Sequence, residues 1–194
     1  MPTERRVERV KEVASRRHKD VVLVLEDVHD PHNAQAVFRS CDAFGVQEVH
    51  LIFHEQEPFN PRHIGKASSS SANKWLDFHI HHDPQSCIQT LKARGFTICA
   101  TALEGAEKTI YKADFRSGAL ALLLGNENRG LSETALANAD RHLAIPMEGM
   151  VGSLNISVTA AVFLFELNRQ RRETGLQRLS SAEQDALVQS FLQR

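Results

Sequence analysis

The chain contains no apolar run near the roughly 20 residues of a membrane span, and its Arg/Glu-rich first residues lack the apolar core of a secretory leader. A soluble, cytoplasmic protein without a membrane partner is expected. Cysteine is scarce. Cys41, Cys87 and Cys99 are odd in number and widely scattered, which fits reduced, packed thiols better than a disulfide frame or a structural zinc site. No Gly-x-Gly-x-x-Gly element opens a strand–helix unit and no phosphate-loop Gly-Lys-Ser/Thr occurs, which argues against a dinucleotide oxidoreductase or an NTPase. A Gly-x-Ser-x-Gly nucleophile elbow is also missing. Net charge is only −1, so composition gives no argument for a nucleic-acid partner. Its distribution gives a mild one: residues 1–20 hold seven Lys/Arg against four Asp/Glu, and Arg169, Arg171 and Arg172 cluster late in the chain. Such clusters either attract phosphate or form a solvated surface.

What is present reads as alternating short strands and helices. With 194 residues, 42% of them apolar, the chain can bury one sizeable core but not two large ones. Val7, Val10 and Val13 fall at helical spacing in a charged N-terminal helix over 5–17. Val21–Leu25 is a short, continuous β-branched and leucine run of the kind found in a strand buried on both faces. Asn33 is expected to cap a helix that ends at Gly45. Further strands are predicted at 46–53, 75–80, 96–102, 119–124 and 142–145, and helices at 84–93, 132–139, 154–171 and 180–192, the last introduced by Ser181 with Gln184 three residues on. Residues 54–74, with Pro58, Pro61 and a four-serine run, read as loop with a short helix around 63–66. The fold class is α/β, a mainly parallel sheet flanked by helices. Ligands of such sheets gather beyond the carboxyl ends of strands, where the segments after Leu25, Leu124 and Ile145 lie.

Three segments carry candidate chemistry. In 33–39, Asn33 either caps its helix or faces a cleft, and Arg39 either reaches that cleft or pairs with Asp42. In 124–130, Gly125 lets main chain approach a ligand, Glu127 orients a ligand or the first segment, and Arg129 is a phosphate contact or a solvated charge. In 145–162, Gly149 and Gly152 suggest a tight backbone path, and Ser153 and Asn155 suit either helix capping or substrate binding. Of the ten histidines, His29 and His32 are close in sequence and His79 and His81 share one strand face. No cysteine pairs with them in sequence, so they read as surface or loop residues and no metal is expected.

Together these segments, Leu25–Gly45, Leu124–Gly130 and Ile145–Val162, resemble in order the three motifs of the SpoU/TrmH branch of the SPOUT RNA methyltransferases. The resemblance covers about residues 20–172. It implies a C-terminal deep trefoil knot, a homodimer, and methyl transfer from S-adenosyl-L-methionine to a ribose 2′-hydroxyl. It further implies that Arg39, Asn33, Glu127, Ser153 and Asn155 form the catalytic set, and that Thr101, Leu124, Gly125, Ile145, Met147 and Leu154 bind the methyl donor. By the same resemblance, Arg39 is expected to lie nearest the reacting ribose. The arms at 1–19 and 173–194 look like those of the members that methylate guanosine 18 of the tRNA D-loop, so tRNA is the expected partner. Alternatives are a ribosomal RNA target, a non-catalytic RNA-binding protein on the same scaffold, and a small-molecule α/β enzyme. Around Ala67–Ser71, where related chains often carry glycine, this chain has only serine after alanine, which bears on target choice.

Overall fold

The computed structural model describes residues 2–64, 72–102, 108–174 and 179–194. Strands β1 (His18–Glu26), β2 (Val46–Ile52), β3 (Asp77–His81), β4 (Thr97–Thr101), β5 (Lys108–Thr109), β6 (Leu120–Leu124) and β7 (Arg141–Ala144) form one sheet in the order β3-β2-β1-β6-β4-β7-β5. Every pairing is parallel. Helices α1 (Glu4–Ala14), α2 (Pro31–Ala43), α3 (Pro84–Ala93), α4 (Glu133–Asn138), α5 (Ile156–Thr174) and α6 (Ser181–Gln193) surround it.

The central strands explain why the apolar run is unbroken. Along β1 successive side chains point to opposite faces. Val21, Leu23 and Leu25 join Phe38, Cys41, Phe163, Leu164 and Leu167 under α2 and α5. Val22 and Val24 join Ile88, Leu91, Leu123 and Ala135 under α3 and α4. A strand covered on both faces has no polar alternation to show, and each such side chain contributes roughly 1.5–3 kcal/mol by leaving water. A third, smaller cluster, Val10, Ala14, Val188 and Phe191 with Val13, Trp75 and Leu187 against it, joins the two terminal helices α1 and α6.

Several boundaries differ from the sequence reading, each for a local reason. Helix α2 is capped by Asp30, whose carboxylate accepts from the His32 N–H at 2.8 Å, with Pro31 in the first turn. Asn33 is therefore inside the helix and its amide is released from capping. Helix α6 uses Ser180 and Glu183 as a reciprocal capping box, one residue before the expected pair. Helix α5 begins at Ile156, two residues after the expected start, because the Asn155 side chain accepts from the Ser157 N–H at 2.9 Å. Strand β3 starts at Asp77 since Leu76, fully buried, packs in the core before pairing begins. The two-residue β5 has no apolar signature and was not anticipated. His63 and Ile64 lie in a turn; the remainder of the expected short helix, and the stretch Ala67–Ser71, fall outside the described residues.

At the amino ends of the strands two arginines are built into the fold. Arg17, 1% exposed, donates to the Asp42 and Val46 carbonyls and pairs with the Asp42 carboxylate. Arg171, 3% exposed, donates to the Phe115 and Gly118 carbonyls at 2.9 and 2.7 Å and pairs with Asp20. The expected late cluster of arginines is thus dismantled. Arg171 is interior, and Arg169 is tied to Glu166 and Glu173.

Candidate active site

Three loops meet at the carboxyl ends of β1, β6 and β7. The loop after β6 is closed on itself: Asn126 and Gly130 exchange two main-chain hydrogen bonds, at 2.9 and 2.8 Å. A β-carbon on Gly125 would lie 2.2 Å from the Gly130 carbonyl carbon, so glycine is required there by the loop's own closure. Gly149 and Gly152 carry no such demand. A β-carbon on either meets nothing within 4 Å and neither has a positive φ, so the expected obstructed path is not what places them there.

Glu127 projects from the closed loop and binds the other two segments into one chain of hydrogen bonds. Its carboxylate accepts from the His29 N–H at 3.0 Å and from the Asn33 amide at 2.8 Å. The Asn33 oxygen accepts from the Asn155 amide at 3.0 Å, and the Asn155 oxygen accepts from the Ser157 N–H and hydroxyl at 2.9 and 2.6 Å. Both ends fix the polarity. A carboxylate only accepts and a backbone N–H only donates, so each amide between them has one permitted orientation. Burial pushes the Glu127 carboxyl upward, but the His29 and Asn33 donors outweigh it and hold the group below the usual carboxylate range. The carboxylate is ionised at neutral pH and the relay is intact there.

Beside the relay lies a cavity of about 410 Å³, within the roughly 300–1,000 Å³ of small-molecule sites. Its apolar wall includes Leu124, Leu143, Ile145, Leu154, Ile156 and Phe163, and its rim carries Thr101, Glu127 and Ser153. All six residues expected to hold a methyl donor, Thr101, Leu124, Gly125, Ile145, Met147 and Leu154, line this one space. The Thr101 hydroxyl donates to the Leu123 carbonyl at 3.0 Å, tying β4 to β6 at the cavity floor.

Arg39 stands apart. It is two turns along α2 from Asn33, exposed, and borders a second hollow of about 600 Å³ with Phe44, Ser157, Val158 and Phe165. Among the described residues it has no hydrogen-bond or ion-pair partner; Asp42, its possible mate, belongs to Arg17. Ser157 touches both regions, donating its N–H and hydroxyl to the Asn155 oxygen and lining the Arg39 hollow. Arg129 pairs with Glu55 and lies 3.9 Å from Asp27.

Two acidic residues escaped the sequence reading. Asp27, buried with φ 50°, accepts from the N–H groups of His54, Glu55 and Gln56 and so hangs the loop after β2 on the end of β1. Glu26, 2% exposed, accepts from the N–H and hydroxyl of Ser132 at the start of α4. The available signal was their position: adjacent carboxylates directly after an apolar strand.

A family model described as the SpoU rRNA Methylase family matches residues 20–165. The chain belongs to that family. The chain is 44% identical over 174 residues to the tRNA (guanosine(18)-2′-O)-methyltransferase of Thermus thermophilus, an alignment covering 90% of this chain and 87% of the relative. Among solved structures, the TrmH/SpoU tRNA modifying enzyme of A. aeolicus superposes with a TM-score of 0.87 at 31% identity, over 97% of this chain and 95% of that one. The SpoU methyltransferase AviRb of Streptomyces viridochromogenes, solved in complex with the cofactor AdoMet, gives a TM-score of 0.71 at 26% identity over 81% of this chain and 62% of that one. SpoU membership makes this chain a methyltransferase scaffold, and the hydrogen-bond relay joins the three segments by which the sequence resembles the family.

Proposed function

We propose that this protein transfers a methyl group from S-adenosyl-L-methionine to the ribose 2′-hydroxyl of guanosine 18 in tRNA. The observation that carries the reading is the relay from Glu127 through Asn33 to Asn155 at the mouth of the apolar cavity. The residues suit the donor: an apolar wall for a purine, glycine backbone at Gly125, and polar groups confined to one rim. When bound there, S-adenosyl-L-methionine supplies an electrophilic methyl group on a cationic sulfur. The chain's part is to place the ribose oxygen and stabilise it. As that oxygen passes its proton to solvent and gains a methyl group, negative charge builds on it, and the unpaired Arg39 guanidinium supplies a fixed positive charge. Because a guanidinium stays protonated in proteins, Arg39 acts as phosphate clamp and electrostatic stabiliser, not as a base. Asn33, Asn155 and Ser153 hold and orient the nucleotide, and alignment of the reacting atoms contributes much of the acceleration.

The same reading divides the chain into an N-terminal arm, 1–19, a SPOUT domain, 20–172, and a C-terminal extension, 173–194, with the knot in the C-terminal part of the domain. Support for the knot is the placement of β7 between β4 and β5, both earlier in the chain. A homodimer is supported by the Arg39 hollow, whose wall includes Val158 and Phe165, 45% and 60% exposed. The arms meet in a groove of about 660 Å³ lined by Arg5, Arg6, Arg9, Lys74, Trp75 and Arg194, cations with an aromatic ring suited to a phosphate backbone. No helix among the described residues is long and apolar enough to cross a membrane, in keeping with a cytoplasmic enzyme.

The test is transfer of labelled methyl from S-adenosyl-L-methionine to unmodified tRNA and, separately, to ribosomal RNA, with nuclease mapping. Label in 2′-O-methylguanosine of the D-loop is the expected result. Label confined to ribosomal RNA overturns the target, and RNA binding without transfer overturns the enzyme.

A further inference from the structure

Away from the candidate active site, strands β2 and β3 stack three imidazoles. Glu48 and His50 share one face of β2, and His79 and His81 share the same face of β3, with His50 opposite His79 in register. The His50 ring lies 4.7 Å from that of His79 and 5.1 Å from that of His81. Sequence reading placed the histidines on the surface or in loops, yet His50 is 1% exposed and Cys87, from the first turns of α3, is fully buried beside it. Helix packing therefore supplies the thiol that no sequence spacing pairs with these histidines.

The hydrogen bonds define the protons. His50 Nε2 lies 2.7 Å from the Glu48 carboxylate, which only accepts, so Nε2 carries a proton. His81 Nε2 lies 2.8 Å from His50 Nδ1, a distance at which two ring nitrogens share one proton. One proton thus sits between two imidazole nitrogens, with a ligand atom of Cys87 within 4.8 Å of both.

We propose that His50, His81 and Cys87 bind a thiophilic divalent ion of the zinc class in place of that shared proton, with Glu48 fixing the His50 ring behind it. Two nitrogens and a sulfur suit zinc in a tetrahedral site, water taking the fourth position. The ligand edges of such a site are roughly 3.3 Å for nitrogen–nitrogen and 3.6 Å for nitrogen–sulfur, given zinc bond lengths near 2.0–2.3 Å. The nitrogens need to part by about half an ångström and the thiol to close by no more than about one. A carboxylate on the far nitrogen of a ligating histidine is the usual outer partner of metal-bound imidazole. Glu48 is itself held by both guanidinium nitrogens of Arg94, at 2.5 and 2.8 Å, and so is ionised and fixed.

Charge around the site agrees. Burial, with the neighbouring imidazoles, holds His81 down to about 4. Burial and the nearby Glu26 and Asp83 carboxylates push the Cys87 thiol up to about 12. A dication reverses that balance, since it lowers the cost of the thiolate and is attracted by both carboxylates. On binding, the thiol proton is released to solvent and the shared proton is displaced from the facing nitrogens, His81 remaining neutral with its proton on Nδ1.

Titrating the metal-free full-length chain with cobalt(II) as the probe tests this. One equivalent is expected to give tetrahedral d–d bands and a thiolate-to-cobalt charge-transfer band. Cys87→Ala should remove the charge-transfer band, and Glu48→Gln should weaken binding by about 10–100-fold. His81→Ala, at a half-buried position on the sheet edge, carries the test if Cys87→Ala does not fold, and should abolish the tetrahedral bands. A cobalt spectrum without charge transfer, or one unchanged in His81→Ala, overturns the proposal. The readout is independent of methyl transfer.

Discussion

Arg17 and Arg171 at the amino ends of the strands are interior, their donors on main-chain carbonyls and their charges on Asp42 and Asp20. Arg39, on the outer side of α2, has solvent around it and no described partner. The residue type is the same and the surroundings opposite. A buried guanidinium is tolerated only when its charge is paired, and once paired it can do nothing else. An exposed one contributes little to folding and keeps its whole field for whatever approaches. The contrast separates arginines that hold the protein together from one left without a partner on the surface.

Substitutions can break or sharpen that division. Asp20→Ala leaves Arg171 charged and unpaired in the interior and should cost about 3–5 kcal/mol in urea denaturation, with transfer by the remaining folded protein unchanged; a cost under ~1 kcal/mol would dissolve the comparison. Arg39→Ala should do the reverse: a fall in methyl transfer of about 10²–10³-fold, with the denaturation midpoint and methyl-donor affinity unmoved. Asn155→Ala interrupts the relay between these extremes, costing about 1 kcal/mol of stability while loosening the nucleotide, seen as a larger effect on transfer than on melting.

Acid titration refines the same point. The folded Glu127 carboxyl is held below its unfolded value, near 4.3. Its contribution is therefore fully present above that pH and is lost as pH falls through the lower folded value. Urea titrations between neutrality and acid should show a shallower acid limb in Glu127→Gln. At the small end, Arg169→Ala removes exposed pairs to Glu166 and Glu173 one helical turn away and should change stability by under about 0.5 kcal/mol.

The scaffold was legible because a strand covered on both faces writes itself as an apolar run: Val21–Leu25 and Leu120–Leu124 pair as their composition suggests. Helix starts were legible to within three residues, since Asp30, Ser132 and Ser180 compete with neighbours of similar capping ability. The cavity lining was legible only through the order of three segments, as Leu124 and Ile145 look like any core residue. Asp27 and Glu26 were hidden because their partners, His54–Gln56 and Ser132, are brought to them by chain crossings that leave no spacing in the sequence. Arg171 misled for the same reason. Its burial depends on the Phe115–Gly118 carbonyls, more than fifty residues away.

Strand β7 enters the sheet between β4 and β5, and β6 lies between β1 and β4. During synthesis, then, the ribosome delivers the flanks before the pieces that fill the gaps. The first 110 residues can collapse onto one another, but the sheet has no continuous centre until Leu120–Leu124 emerges and no finished edge until Arg141–Ala144 follows. Parallel pairings between such distant segments form slowly. A nascent chain stalled before residue 141 should remain open to protease along the edges of β4 and β5, and maturation should wait on the arrival of Arg141–Ala144.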